Sequence, residues 1–181
     1  MTPHLADTPV LETERLTLRA PVLADADNFV AFYGSERSTH VGGPLTPRAA
    51  WNFFATELGH WALRGFGMFS AVPKGSETAI AMVGHWQPVD WPEREVGWLV
   101  LDPDCEGKGI AHEAARACVD HAYRVLGWDT VVSYIDPRNA RSIALARRLG
   151  AQRDDDATPP MRREADLPAA LVFRHPVPGA A

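Results

Sequence analysis

The sequence predicts a mixed α/β domain built on a single sheet. Three observations carry that expectation. The length of 181 residues, at about 150 per domain, leaves room for one core and no second independent unit. Runs that alternate with period two are interleaved with runs of helical period. The resulting order is strand, two helices, three strands, helix, strand, helix and two weaker strands. Hydrophobic residues make up 46% and charged residues 23%, ordinary for a soluble globular chain, and no apolar run approaches the length of a membrane span. The first ten residues lack a basic start followed by an apolar stretch, so no secretory signal is expected, and the protein is expected to be cytoplasmic. No fixed-period repeat is present.

Residues 11–20 alternate Leu16 and Leu18 with Arg15, Thr17 and Arg19, the pattern of a half-buried first strand. Pro21 ends it, and Asp25 or Asp27 caps a helix whose apolar positions Phe29, Val30, Phe32 and Tyr33 run to Gly34. After a polar, glycine-bearing bridge over 35–45, Thr46 and Pro47 open a second helix with Trp51, Phe54, Ala55, Leu58, Trp61 and Ala62 on one face. Residues 68–72 and 79–86 read as a hairpin about Lys74-Gly75-Ser76, and 88–94 as a loop. Residues 95–101 form an apolar central strand closed by Asp102-Pro103-Asp104. From Gly109 the period becomes helical, with Ile110, Ala114, Cys118 and Ala122 on one face and Gly127 as the stop. A buried strand over 130–135 follows, then a helix opened by Asp136-Pro137 and stopped at Gly150. Weaker strands over 151–154 and 169–173, separated by a loop over 155–167, complete the order. The domain is expected to span 11–175, with short tails over 1–10 and 176–181.

Eighteen basic side chains against 23 acidic ones give a net charge of −5, the wrong sign for a surface that grips nucleic acid. Cys105 and Cys118 have no metal-ligand spacing, so neither a metal site nor a disulfide is expected.

The chemistry concentrates between 99 and 111: a buried strand, a turn with Gly107 and Gly109, and a long amphipathic helix. Free amides at a helix start, the positive end of the helix dipole and glycines that admit a close approach make an anion pocket, to which Lys108 adds charge. A bare pair of glycines is as often only a turn. The dinucleotide fingerprint is not completed, because His112 stands at its third position, and no triphosphate-binding loop is present.

With Glu106-Gly107-Lys108-Gly109-Ile110-Ala111 the chain resembles the GNAT family of N-acetyltransferases, whose coenzyme A signature is Q/R-x-x-G-x-G/A, here with Glu106 in the first position. A second block, Asn139-Ala140-Arg141-Ser142 through Arg148-Leu149-Gly150-Ala151, resembles the family's N-x-x-S helix. The opening Glu12-Thr13-Glu14-Arg15-Leu16 is similar to the branch that acetylates N-termini of ribosomal proteins. The resemblance implies a twisted, mostly antiparallel mixed sheet flanked by about four helices, whose fourth and fifth strands, over 96–101 and 130–135, splay apart. It implies acetyl-CoA as cosubstrate, an amine acceptor, no metal, nucleic acid or membrane partner, and a homodimer as a common state. By the same resemblance the backbone of Leu99, Val100 and Leu101 would pair with the pantetheine arm, Gly107, Lys108, Gly109, Ile110 and Ala111 would hold the pyrophosphate, Asn139 would bond the pantetheine, and Ser142 would lie near the sulfur. A carboxylate at Glu106 would repel a diphosphate unless it pointed to solvent or paired with a base, and it is expected to turn outward, because the grip relies on backbone amides.

Acetyl transfer needs a base for the amine, stabilisation of the charge on the acetyl oxygen, and a proton for the thiolate. Glu95, at the start of the central strand, is the expected base and His85 the runner-up, although a histidine in the apolar run Ala81-Met82-Val83-Gly84-His85-Trp86 is also an ordinary core residue. An amide of Val100 or Leu101 is expected to face the acetyl oxygen. Many relatives place a tyrosine four residues after the serine; here Ala146 stands there, which leaves Ser142 as acid. Trp86 and Trp91 flank the acceptor end and, with His85, are the expected substrate wall. A coenzyme-binding sensor that keeps the fold without catalysis is the alternative reading; a nucleotide-binding module is a weaker one, because no ribose-binding acid follows the glycine turn.

Overall fold

Each change of period in the chain becomes a change of element. The computed structural model describes residues 5, 7–161 and 167–179. Along it lie β1 (Leu11–Glu12), β2 (Leu16–Arg19), α1 (Ala26–Tyr33), α2 (Pro47–Arg64), β3 (Met68–Pro73), β4 (Ala81–Trp86), β5 (Glu95–Val100), α3 (Ile110–Arg124), β6 (Val132–Ile135), α4 (Ala140–Arg148), β7 (Gln152–Arg153) and β8 (Leu171–Arg174). The strands form one sheet in the order β1-β2-β3-β4-β5-β6-β8-β7. Every pairing is antiparallel except β5 with β6, which is parallel. The expected mixed, mostly antiparallel sheet is therefore present, and its two central strands share a single bridge, Glu95 opposite Val132. The expected tails and the loop over 155–167 fall in part outside the described residues.

The stretch over 11–20 is not one strand. It folds back at Thr13, whose N–H donates to the Leu16 carbonyl at 2.9 Å and whose hydroxyl oxygen accepts the Leu16 N–H at 3.0 Å, and Leu11 comes to lie opposite Leu18. Alternation alone does not reveal this, because a short hairpin keeps the same residues on the same face. The expected fourth and fifth strands are in consequence β5 and β6. The bridge over 35–45 also has structure of its own, a 3₁₀ turn (Glu36–Val41) ended by Gly42.

The helix ends follow local rules. Thr46 accepts the Ala49 N–H at 3.3 Å, Pro47 takes the first helical position, and Gly65 closes α2 at φ +74°. Asn139 caps α4 by accepting the Ser142 N–H at 3.1 Å.

Two apolar layers sandwich the sheet. Alternate residues point to opposite faces, so Phe69, Val83 and Val96 pack with Ile110, Ala114, Cys118 and Ala122 of α3, while Met68, Met82, Leu99 and Leu101 pack under Phe29, Phe32, Tyr33 and Phe54 of α1 and α2. Burying each large apolar side chain contributes roughly 1.5–3 kcal/mol, which fixes the face each strand presents. Gly84 is forced by this crossing: a Cβ there would stand 2.6 Å from the Gly67 carbonyl oxygen and 2.8 Å from the Met68 Cα. Both atoms are backbone and cannot step aside. Gly84→Ala is expected to lower stability by about 1–3 kcal/mol, read as a fall in the urea midpoint at unchanged slope; an unchanged midpoint would show that β3 and β4 have room to separate.

Candidate active site

The site begins where the β5–β6 ladder stops. Val132 donates its N–H to the Arg94 carbonyl at 3.0 Å. The next rung of a parallel ladder would join the Tyr134 N–H to the Val96 carbonyl. Instead the Tyr134 N–H goes to Oε1 of Glu95 at 3.2 Å, and the Val96 carbonyl accepts the Ser133 hydroxyl at 2.6 Å. Side chains have taken over the backbone's partners, and beyond this point the strands part. Ser133, having donated, accepts from Nε2 of His175 at 2.9 Å, which fixes the proton of that ring on Nε2. The gap continues into an open groove of about 1230 Å³ that runs past β5, the turn before α3, and α4.

One end of the groove is built for an anion. Gly107 and Gly109 take φ of +73° and +79°, and the second leads directly into α3. The first amides of α3, those of Ile110, Ala111 and His112, have no partner within the helix. Arg15, Arg37, Arg116, Arg141 and Arg148 line the same groove. Arg15 is held from below: Glu113 accepts from its Nε at 2.6 Å, from its N–H at 2.8 Å and from the Thr13 hydroxyl at 2.6 Å. Its Nη1 donates to the Lys108 carbonyl at 2.9 Å, clamping the β1–β2 turn onto the glycine turn. Burial raises the Glu113 pKa, but these donors outweigh it and hold the carboxyl below its usual range.

Glu106 is neither outward nor alone. One oxygen accepts from Nε of Arg37 at 2.7 Å and the other from Arg141. Burial pushes its carboxyl up, and the two guanidinium groups more than reverse that. Arg37 in turn donates to the carbonyls of Val100 and Leu101, at 2.6 and 2.8 Å, and lies over the Phe32 ring at 5.2 Å. The unusual acid of the glycine turn is thus tied through one arginine to the end of β5.

Along β5 the backbone alternates. Leu101 donates its N–H to Ile80 at 2.9 Å, so Leu99 and Leu101 face β4, while Trp98 and Val100 present their N–H groups to the open edge. Of the three residues expected to pair with a ligand, only Val100 has its backbone on the groove side, and its carbonyl is occupied by Arg37. Leu101 is buried, with both its N–H and its carbonyl engaged, so it is unavailable as the amide for an acetyl oxygen. The Lys108 side chain is exposed and does not line the groove. Ile110 and Ala111 do line it, with Asn139 and Ser142 on the facing helix. Trp98 donates its indole N–H to the Ser142 hydroxyl at 3.1 Å, which leaves the serine hydrogen free to point elsewhere.

At the start of β5, Glu95 is 8% exposed. Trp91 donates to its Oε2 at 2.5 Å, and Trp86 is its cross-strand partner. Burial raises its pKa to about 7 against the lowering effect of Trp91 and the Tyr134 amide. The expected trio Glu95, Trp86 and Trp91 therefore does come together. His85 does not join it. Fully buried on the other face of β4, it puts Nε2 on the Cys118 carbonyl at 3.0 Å and its ring among Phe69, His121 and Trp128, and burial lowers its pKa to about 4. Strand alternation decides this, because neighbours on a strand face opposite ways. Arg15, Arg37, Tyr134 and Glu57 escaped the sequence reading. The first two sit in a turn and a 3₁₀ segment without periodicity; Glu57 left a signal, an acid between Phe54 and Trp61 on the inward stripe of α2.

Comparison with known proteins shows the family and the fold. Residues 15–152 match the family model described as an acetyltransferase (GNAT) domain. A crystal structure of an acetyltransferase from Agrobacterium tumefaciens str. C58 superposes with a TM-score of 0.84 at 36% identity, covering 97% of this chain and 98% of that one. The uncharacterized N-acetyltransferase p20 of Bacillus licheniformis is 28% identical over 149 residues, 80% of this chain and 83% of its own. The fold is also that of the ribosomal-protein-S5-alanine acetyltransferase of Vibrio fischeri, with a TM-score of 0.66 at 16% identity over 92% of this chain and 95% of that one.

The Arg37 network carries a direct test. Arg37→Ala strips hydrogen bonds from two carbonyls and a half-buried carboxylate and is expected to cost about 1–3 kcal/mol, whereas Arg141→Ala, at a side chain 85% exposed, is expected to cost under about 1 kcal/mol. Urea unfolding of the two variants measures the difference, and equal losses would remove Arg37 from its structural position.

Proposed function

The chain belongs to the GNAT acetyltransferase family and is an acyltransferase, and from that premise we propose that it moves an acetyl group from acetyl-CoA to a primary amine by direct attack, without an acyl-enzyme. The acceptor is a peptide N-terminus or a small amine; the ribosomal-protein branch resembled by the opening residues supports the former. The observation that carries the reading is a buried, proton-accepting carboxyl, Glu95, at the point where β5 and β6 part.

The fit to acetyl-CoA rests on the groove. Glycines with positive φ, the first amides of α3 and Arg15 suit the pyrophosphate; the open edge of β5 suits a slender arm. Arg141 and Arg37 neutralise Glu106, so the altered signature position does not repel the phosphates. When bound, the cosubstrate supplies an activated acyl carbon with a thiolate leaving group.

The residues divide the remaining work. Glu95, as the carboxylate, takes one proton from the acceptor ammonium and leaves a neutral amine. The amine nitrogen forms the new C–N bond as the C–S bond breaks. Ser142, its oxygen oriented by Trp98, gives its proton to the departing sulfur and regains one from the proton lost by the nitrogen, by way of water. With the Leu101 N–H engaged by Ile80, the Val100 backbone N–H, on the open edge of β5, is the amide that faces the acetyl oxygen. Cys105 has no part: burial raises its thiol pKa, and Asp102 raises it further.

Because Glu95 must be ionised to act and its carboxyl is pushed up to about 7, kcat/KM is expected to rise with pH through about 7. Glu95→Gln is expected to lower it by about 10²–10⁴-fold and to abolish that limb. Ser142→Ala is expected to lower kcat more than acetyl-CoA affinity. Thiol release over a panel of peptides and amines checks both, and unchanged turnover in either variant removes that residue from the mechanism.

A further inference from the structure

One buried acid beside the acceptor end keeps an oxygen without a partner. Glu57 on α2 is 3% exposed, and no hydrogen-bond donor reaches its Oε2. One turn further on, His60 stacks on Trp86, rings 4.6 Å apart and 20° from parallel. Trp86 is in turn the cross-strand partner of Glu95. The inward face of α2 therefore brings Glu57 to the same cluster as the proposed base. Burial, with repulsion from Glu95 added to it, raises the Glu57 pKa to about 8.

A carboxyl buried without a donor is costly, and an apolar side chain of similar size would be cheaper in the same place. Its surroundings describe what would satisfy it. Trp86, Trp91 and Tyr134 are only partly buried, and they gather at Glu95: Trp86 is its cross-strand partner, Trp91 donates to it, and the Trp91 and Tyr134 rings meet edge-on at 6.1 Å. Beside Glu95, Gly97 is partly exposed although it sits in a central strand. A Cβ there would find nothing nearer than Oε1 of Glu95 at 3.9 Å and the Met68 thioether at 4.0 Å. Room for a small group thus lies next to the acids, on the face that α2 covers.

Resting on the acetyltransferase reading above, we propose that Glu57 selects the acceptor: with Glu95 it forms the floor of an aromatic-rimmed subsite for an organic ammonium group that carries no carboxylate beside it. The ammonium brings up to three N–H donors to a place with unused acceptors, and aromatic faces favour a cation. An ammonium favours the ionised form of the acid beside it, so a free α-amino acid, which brings its own carboxylate against that acid, is rejected by like charge. Glu57 holds the ammonium through one N–H while Glu95 takes the proton that must leave, so nitrogen arrives charged, is oriented, and attacks neutral.

The test compares wild type with Glu57→Gln and with the apolar Glu57→Met, using n-butylamine, alaninamide and alanine as acceptors in the thiol-release assay. Wild type is expected to use n-butylamine and alaninamide at least tenfold better than alanine in kcat/KM. Both variants are expected to raise the KM for n-butylamine about tenfold, to leave the KM for acetyl-CoA unchanged, and to melt no lower than wild type. An unchanged amine KM in a folded variant, or equal use of alanine, overturns the proposal. If wild type turns over none of these amines, it is the reading of the reaction that fails. Calorimetric titration with n-butylammonium chloride then decides the subsite by itself: binding weakened tenfold in the variants upholds it, and absent or equal binding overturns it.

Discussion

The site depends on one rung missing from a ladder. A parallel strand pair normally continues until its residues run out, because every unpaired amide or carbonyl left inside is costly. Here the pair ends after a single bridge, since the Glu95 carboxylate takes the Tyr134 amide and the Ser133 hydroxyl takes the Val96 carbonyl. At that rung the backbone loses no hydrogen bonds by parting. The same substitution leaves the Trp98 and Val100 amides facing open space and places an acid with a raised pKa at the apex of the opening. Opening the sheet and siting its proposed base are one event.

The second organising principle is local neutralisation. The chain carries a net charge of −5, yet the groove it opens is lined by five arginines. They are not left to repel one another. Glu113 holds Arg15, and Glu106 holds Arg37 and Arg141. These acids orient the cations toward the glycine turn and keep the field of the groove moderate. Near the start of β5 the sign reverses: two buried carboxyls, Glu95 and Glu57, neither bonded to an arginine among the described residues, stand where the acceptor amine is proposed to enter. The groove is thus lined by cations, and these two acids lie outside it, Glu95 at the start of β5 and Glu57 on α2.

Much of this was legible in the sequence, for identifiable reasons. Element order, the glycine turn and the caps at Thr46 and Asn139 depend on local steric rules that a few consecutive residues state. Glu95, Trp86 and Trp91 could be grouped because strand ends and the loop over 88–94 lie close in sequence. What was hidden depends on distant partners. Arg37 lies in an aperiodic bridge, and nothing local says that its guanidinium reaches across to Val100, Leu101 and Glu106. The fold-back at Thr13 keeps the alternation of a straight strand. His85 was misplaced because an apolar strand buried on both faces has no alternation by which to tell its two sides apart. Glu57 was visible as an acid on an apolar stripe, but only the crossing of α2 over β5 gives that position a neighbour.

The placing of β8 bears on how the molecule is made. β6 is flanked by β5 on one side and β8 on the other, and the Ser133 hydroxyl that frees the split is itself bonded to His175, just beyond β8. A chain synthesised from its amino end completes β5 and β6 well before β8 exists, so β6 first meets its partner with one edge bare. During that interval Ser133 has no imidazole to lean on. The opening between β5 and β6 is accordingly among the last features to be set during biosynthesis, although most of its residues are made early.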